Sequence, residues 1–166
     1  MLTSKQNVDE IIEQHYCCRT NTIQLCDKII TGSYLQLKKA LPRIKIVQVI
    51  HVTDDESINE AIETSNFVDA ILLDSGNQKL VTKELGGTGR THDWSISQKI
   101  VESVKIPVYL AGGLNSQNVN EAILQVKPYC VDVCSGVRTN SKLDEEKLKL
   151  LFDSMRSVNK LMKKEK

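Results

Sequence analysis

The chain has 166 residues, of which 40% are hydrophobic, and its formal net charge at pH 7 is +1. That length suits one domain with a buried core, expected to span residues 1–166, and leaves little room for a second. The nearly balanced charge predicts no nucleic-acid partner, since proteins that bind nucleic acid carry a basic surface. No apolar run reaches the roughly 20 residues of a membrane-spanning helix. The first residues do not resemble a signal peptide, so a cytoplasmic protein without membrane contact is expected.

Runs of apolar and β-branched residues alternate with segments of helical periodicity along the chain. Strands are predicted at residues 22–26, 44–52, 68–73, 107–111 and 131–134. Helices are predicted at residues 7–19, 32–41, 95–104, 116–126 and 144–161, with one more that begins at residue 53. Strands separated by helices indicate a parallel α/β sheet, either an open doubly wound sheet or a (β/α)₈ barrel. Both architectures bind ligands at the carboxyl ends of their strands.

The predicted helices carry local signals at their starts and along their buried faces. Thr53 and Glu56 have the spacing of a capping box, and Ser95 is a candidate cap for the helix that follows it. Buried stripes are predicted at Ile58, Ala61 and Ile62 in the helix after residue 53, and at Leu148, Leu151, Phe152 and Met155 in the last helix.

A carboxylate ends the predicted strand 68–73. Asp74 follows four apolar residues, so its side chain is expected at the ligand-binding edge of the sheet. A partly buried carboxyl group in that position can have a raised pKa and serve as a general acid. The alternative is a capping or turn-forming aspartate, because Asp-Ser-Gly is also ordinary turn chemistry.

Glycines follow three of the predicted strands. They are Gly86, Gly87 and Gly89 after residues 68–73, Gly112 and Gly113 after residues 107–111, and Gly136, preceded by Ser135, after the last strand. Glycine-rich turns and helix N-termini bind phosphate through free amide groups, so these residues are candidates for binding a phosphorylated substrate. Each later loop alone is equally consistent with a plain turn, but the two together favour phosphate.

The histidines, the tryptophan and the cysteines indicate structural roles. His51 lies in an apolar strand and is predicted to be a hydrogen-bonded structural residue, whereas His92 is expected in a solvent-exposed loop that Trp94 anchors by packing. No pair of histidines has the spacing of metal ligands, so no metal site is predicted. The number of cysteines, five, is odd, and none has the C-x-x-C spacing, so free thiols are predicted rather than disulfides or a zinc site.

Several of these motifs, which include Asp74 and the glycines after the last two strands, resemble those of the phosphoribosylanthranilate isomerase family and occur in the same order and spacing. Residues 72–74 and 86–94 are similar to that family's sixth strand and the loop after it. Residues 110–115 and 131–137 are similar to its seventh and eighth strands, and residues 22–25 to its fourth. The resemblance covers about residues 20–153 and implies a (β/α)₈ TIM barrel, incomplete here, with about five βα units that correspond to strands 4–8.

The resemblance implies an isomerase of tryptophan biosynthesis. The family's reaction is an Amadori rearrangement, in which the ribose ring of N-(5′-phosphoribosyl)anthranilate opens and the aldimine becomes an aminoketone. Asp74 matches the general acid that protonates the ring oxygen, and Gly112, Gly113, Ser135 and Gly136 match the loops that hold the phosphate. No cofactor or metal is implied, because the substrate's imine nitrogen stabilises the developing charge.

The chain departs from the family pattern near its first residues. The strand that carries the family's general-base cysteine has no counterpart, so an N-terminally incomplete member is expected. Cys26 stands where the family's Gln-Leu-His-Gly motif has histidine, on a different strand from that base. Two further hypotheses are a non-catalytic barrel remnant that binds a sugar phosphate, and a homo-oligomer in which a second copy covers the open sheet edges.

Overall fold

Six parallel strands form one sheet in the order in which they occur in the chain. The computed structural model describes residues 1–76 and 91–162, with side chains through residue 158. The strands are β1 (Leu2–Thr3), β2 (Thr22–Leu25), β3 (Lys45–His51), β4 (Ala70–Asp74), β5 (Val108–Leu110) and β6 (Cys130–Val131). The predicted parallel α/β sheet is confirmed, with β1 as a sixth strand that lies outside the five predicted ones.

Helices follow or precede each of these strands. They are α1 (Val8–Cys18), α2 (Tyr34–Ala40), α3 (Glu56–Ser65), α4 (Trp94–Ser103), α5 (Val119–Val126) and α6 (Glu145–Met162). A 3₁₀ turn at Ser135–Val137 leads into a short antiparallel hairpin, β7 (Arg138–Thr139) and β8 (Lys142–Leu143), which the sequence pattern does not predict. Each of the six predicted helices overlaps one of these helices.

The predicted capping box at the start of α3 is wrong. The helix begins at Glu56, whose amide donates to the side chain of Asp54 at 3.1 Å. The amide of Thr53 donates instead to the hydroxyl of Ser57, at 3.2 Å. Asp55 is the N-cap and its side chain makes no capping bond, so the carboxylate of Asp54, one residue earlier, accepts from the first amide of the helix.

Two predicted core positions are also wrong. Ala61 is buried in α3, but Ile62 is 40% exposed. In α6, Leu151 is buried and Phe152 is 50% exposed. Successive helical residues are rotated by about 100°, so each exposed residue turns away from the stripe that its neighbour buries.

The sheet is buried on both faces, as the nearly continuous apolar run of β3 predicts. On one face, Ile50 and Leu73 pack in the core that the sheet shares with the helices. On the other face, Val49 and Leu72 form a smaller cluster. Because alternate residues of a strand share a face, Asp74 lies on the side of Leu72, at the carboxyl end of the sheet.

Candidate active site

A cavity of about 240 Å³ opens at the carboxyl ends of the strands. Every strand of the sheet, or the loop that follows it, contributes to the wall. The polar part of the wall comes from the backbone of Gly112 and Gly113 and from the side chains of Gln24, Cys26, Asp74, Asp132, Cys134 and Ser135. The structure therefore brings together four predicted site residues: Asp74, Gly112, Gly113 and Ser135.

Asp74 is the last residue of β4 and is only 8% exposed. Its carboxylate accepts a hydrogen bond from the amide of Ser75 at 2.7 Å. Burial raises the pKa of Asp74 and the charge of Asp132 acts in the same direction, whereas the Ser75 amide and His51 oppose the rise. A buried carboxyl group whose protonated form is favoured, at the wall of a polar cavity, is suited to donate a proton to a bound molecule.

The turn after β5 brings two glycines close to Asp74. Gly112 and Gly113 have positive φ angles of 85° and 64°, which glycine adopts at little cost. A Cβ atom at residue 112 would lie 2.9 Å from the backbone nitrogen of Ser75. Glycine at this position therefore allows the β5 loop to lie directly against the end of β4.

Two asparagine side chains hold this turn in place. The amide groups of Asn115 and Asn118 donate to the carbonyl of Gly113 at 3.3 and 3.1 Å. The side-chain oxygen of Asn118 accepts from the backbone amide of Asn115 at 2.8 Å. Within residues 1–76 and 91–162, the amides of Gly112 and Gly113 donate to no backbone carbonyl, so both remain available to an anion.

The loop after β6 contributes Ser135 to the cavity, while Gly136 has a packing role. A Cβ atom at residue 136 would lie 1.9 Å from the carbonyl oxygen of Leu114, which leaves no space for a side chain. Gly136 does not line the cavity. It holds the loop after β6 against the loop after β5, and this contact places Ser135 near Gly113.

Cys26 and His51 lie beside the cavity at the ends of β2 and β3. Burial raises the pKa of the Cys26 thiol, and the carboxylates of Asp74 and Asp27 add to the rise, so the protonated thiol is favoured. Nε2 of His51 lies 3.1 Å from the carbonyl oxygen of Cys26. Because a carbonyl only accepts, Nε2 carries the proton and donates, and the prediction of a hydrogen-bonded histidine is confirmed.

The expectation of an exposed His92 is wrong. His92 is half-buried, its Nε2 lies 2.6 Å from the hydroxyl of Ser97, and burial lowers its pKa to about 4. Trp94 packs against the main core, as predicted. Asp93, rather than Ser95, caps α4 by accepting from the Ser95 amide at 2.9 Å, because the helix begins one residue earlier than predicted.

Sequence reasoning missed two polar residues of the cavity. Gln24 alternates in β2 with the buried Ile23 and Leu25, and this alternation is the signal that could have identified it. Asp132 directly follows β6, much as Asp74 ends β4. The predicted glycines at residues 86, 87 and 89 lie outside the described residues.

Solved structures with a similar fold define the class of the protein. A phosphoribosyl anthranilate isomerase from Thermococcus kodakaraensis matches with a TM-score of 0.73 and 28% identity, over 94% of this chain and 73% of that chain. A phosphoribosyl anthranilate isomerase from Thermotoga maritima matches with a TM-score of 0.73 and 26% identity, over 94% of this chain and 71% of that chain. With the parallel sheet and a cavity at its carboxyl end, these matches define a TIM-barrel-like α/β protein.

Sequence comparison then identifies the family. The family model for N-(5′-phosphoribosyl)anthranilate isomerase matches residues 2–154. An isomerase from Methanocella arvoryzae is 36% identical over 139 residues, which cover 84% of this chain and 63% of the relative. A second, from Methanosarcina mazei, is 37% identical over 146 residues, which cover 88% and 64%. The chain belongs to the N-(5′-phosphoribosyl)anthranilate isomerase family.

The chain spans less than two thirds of the length of these two curated relatives. Across the part of the chain that the structure describes, no helix combines the length and the apolar character needed to cross a membrane.

Proposed function

We propose that this chain takes part in the isomerisation of N-(5′-phosphoribosyl)anthranilate, the Amadori rearrangement of tryptophan biosynthesis. The observation that carries the proposal is the position of Asp74. This buried carboxyl group has a raised pKa and lines the same cavity as the glycine turn after β5 and Ser135 after β6. Membership of the isomerase family supports the same assignment.

Asp74 is the proposed general acid. It donates its proton to the furanose ring oxygen, the bond between that oxygen and C1′ breaks, and the nitrogen lone pair forms the C1′=N bond. The positive charge then resides on nitrogen and Asp74 is left as a carboxylate. The hydrogen bond from the Ser75 amide, at 2.7 Å, stabilises that carboxylate.

A base must next remove the C2′ proton, so that the open-chain imine becomes an enolamine and then the aminoketone. Cys26 is not assigned this role, because burial and the neighbouring carboxylates favour its protonated thiol, which is not a base.

The substrate phosphate is proposed to bind between the loops after β5 and β6. The free amides of Gly112 and Gly113 and the side chain of Ser135 are the donors, and Gly136 keeps the two loops together. Gly86, Gly87 and Gly89 are proposed, from the sequence resemblance alone, to lie in a substrate-binding loop after β4.

In terms of the family's barrel, β2 to β6 are proposed to correspond to strands four to eight, and β1 to the end of strand three. Residues 1–166 are proposed to belong to this one domain, acting in the cytoplasm, where the five free cysteines would stay reduced. The two sheet edges, beside Leu2 (66% exposed) and Tyr129 (74% exposed), are the proposed contacts of a homo-oligomer.

A second candidate function is binding of a sugar phosphate without turnover. This function is supported by the raised pKa of Cys26, because a protonated thiol beside Asp74 cannot serve as the base that turnover requires.

One experiment separates the two functions. The full chain is incubated with N-(5′-phosphoribosyl)anthranilate and the aminoketone is quantified by chromatography, while calorimetry measures the binding of ribose 5-phosphate. Product formation above the rate without protein supports the isomerase. Saturable binding without product selects the binding protein, and absence of both contradicts the two proposals.

A further inference from the structure

Asp132 lies in the wall of the same cavity as Asp74, two strands away along the sheet. The parallel pairing of β4, β5 and β6 continues beyond the last residues of β5 and β6. The amide of Ala111 donates to the carbonyl of Leu73 at 2.7 Å, and the amide of Asp132 donates to the carbonyl of Leu110 at 2.8 Å. Asp74, Ala111 and Asp132 therefore form one row across the carboxyl end of the sheet.

The side chains of this row face the cavity. Ala111 packs in the smaller cluster on the cavity face of the sheet. Val131 and Val133 pack with the helices on the other face, so Asp132 between them is turned to the cavity. Neighbouring strands lie about 4.8 Å apart, which places the backbones of Asp74 and Asp132 about 10 Å apart. Because only the methyl group of Ala111 lies between them in the row, a small molecule has room between the two carboxyl groups.

The surroundings of the two carboxyl groups differ. Asp74 is buried, and burial raises its pKa. Asp132 is exposed, so water stabilises its carboxylate. Among the residues that the structure describes, no lysine, arginine or histidine forms an ion pair with Asp132. The row thus combines a carboxyl group that favours its proton with a carboxylate that is free to accept one, which is an arrangement suited to acid–base catalysis.

The proposed isomerisation needs an acid and a base on two sides of one carbon, because the ring oxygen and C2′ of the substrate are both bonded to C1′. Each catalytic group must come within about 3 Å of the atom whose proton it gives or takes. Asp74 and Asp132 flank a common space from two sides, as this chemistry requires. Resting on the proposed isomerase function, we propose that Asp132 is the general base that removes the C2′ proton.

The proton transfers balance with these two groups alone. After Asp74 has protonated the ring oxygen, the carboxylate of Asp132 takes the C2′ proton. The electrons of the C2′–H bond form C1′=C2′, and the π electrons of C1′=N return to nitrogen, which gives the enolamine. Asp132 then donates its proton to C1′, while the proton of the 2′-hydroxyl passes to the carboxylate of Asp74 and C2′=O forms. The aminoketone results, and both carboxyl groups regain their initial states.

The proposal is tested by steady-state assays of the full chain with N-(5′-phosphoribosyl)anthranilate and with the same substrate deuterated at C2′. The variants are D132N, D132A with and without sodium formate, and D74N. D153N is the control for loss of an exposed carboxylate, and C134S tests the thiol that lines the same part of the wall. Calorimetry with ribose 5-phosphate measures binding separately from turnover.

D132N should lower kcat by about 10²- to 10⁴-fold, the usual contribution of a general base, while its affinity for ribose 5-phosphate and the kcat of D153N stay unchanged. Formate should restore part of the activity of D132A, because it replaces the missing carboxylate. Deuterium at C2′ should slow D132N more than D74N, since the C2′–H bond breaks in the step assigned to Asp132 and not in ring opening.

Three results would overturn the role of Asp132 and leave the isomerase proposal standing. They are product formation by D132N at the wild-type rate, an isotope effect that is larger in D74N than in D132N, and a loss of kcat in C134S that D132N does not share. A D132A variant that formate does not reactivate would also contradict the role, because a replaced base should be rescued. Absence of product with the wild-type chain would overturn both proposals.

Discussion

Asp74 is buried and His92 is half-buried, and their pKa values shift for the same reason and in opposite directions. Burial disfavours the charged form of each, so it raises the pKa of the Asp74 carboxyl group and lowers that of the His92 imidazole to about 4. Their surroundings differ. Asp74 lines a polar cavity beside two glycine loops, whereas His92 is bonded to Ser97 on α4.

The comparison shows that a shifted pKa does not by itself mark a catalytic residue. Asp74 combines the shift with free space and with groups that can bind an anion, so its proton can reach a ligand. His92 has the shift without lining any of the described cavities. We therefore expect His92 to affect stability, while Asp74 stays the proposed proton donor.

The largest expected effect separates the two residues by activity. D74N removes the proposed proton donor and should lower kcat for phosphoribosylanthranilate by about 10²- to 10⁴-fold, the usual contribution of general acid catalysis. H92Q keeps a donor toward Ser97 at a residue that lines none of the described cavities, so kcat should stay close to that of the wild type. Steady-state assays of both variants, with D153N as a surface carboxylate control, measure the contrast. Similar losses in D74N and H92Q would contradict it.

The second expected effect is a pH-dependent loss of stability caused by His92. Its pKa is about 4 in the folded protein and 6.5 ordinarily, so its contribution is present above pH 6.5 and is lost as the pH falls toward 4. That loss amounts to at most about 3 kcal/mol. Urea unfolding at pH 7 and pH 4 should show a smaller decline for H92Q than for the wild type, with H15Q as the histidine control. An equal decline in H92Q and the wild type would show that His92 does not carry this dependence.

The third expected effect concerns the glycine turn beside Asp74. N118A removes the donor to Gly113 and the acceptor for the Asn115 amide, which should loosen the turn and weaken binding of ribose 5-phosphate by about tenfold, the equivalent of one or two hydrogen bonds. E121Q changes an exposed residue of α5 and should leave the affinity unchanged. Calorimetry on both variants measures the difference. Equal affinity in N118A and the wild type would remove the turn from the proposed phosphate site.

The smallest expected effect is a gain in stability when Asp74 loses its charge. Because the folded-state pKa of Asp74 is raised, ionisation at neutral pH opposes folding, and this cost disappears below the ordinary pKa of aspartate. D74N should therefore raise the free energy of unfolding at pH 7 by the order of 1 kcal/mol and match the wild type near pH 3. Lowering the pH therefore removes a destabilising charge at Asp74, whereas at His92 it removes stability. A D74N variant that is less stable at pH 7 would contradict the assigned burial of an acid.

Much of the fold and the position of Asp74 could be predicted from the sequence, because both depend on local patterns. Alternating strand and helix signals indicate the parallel sheet, and an apolar run ending in Asp74 places its carboxyl group at the sheet's carboxyl end. Glycines at residues 112, 113 and 136 after successive strands indicate neighbouring loops for the same reason.

Other features depend on contacts between distant segments, which no local pattern contains. Burial of His92 results from its packing on α4. Glycine is needed at residue 136 because the loops after β5 and β6 touch there, and a side chain would collide with the carbonyl oxygen of Leu114. The two-residue strand β1 exists only through its pairing with β2. Phe152 is exposed because α6 packs with Leu151, its neighbour in the sequence, turned into the core.

The pH dependence of kcat/KM for phosphoribosylanthranilate tests most directly whether protonated Asp74 is the acid. With wild-type chain, kcat/KM should fall as the pH rises through the raised pKa of Asp74, because the proton donor is then lost. The residual activity of D74N should lack this decline. A wild-type profile that is flat across that range, or the same decline in D74N, would contradict the role of Asp74.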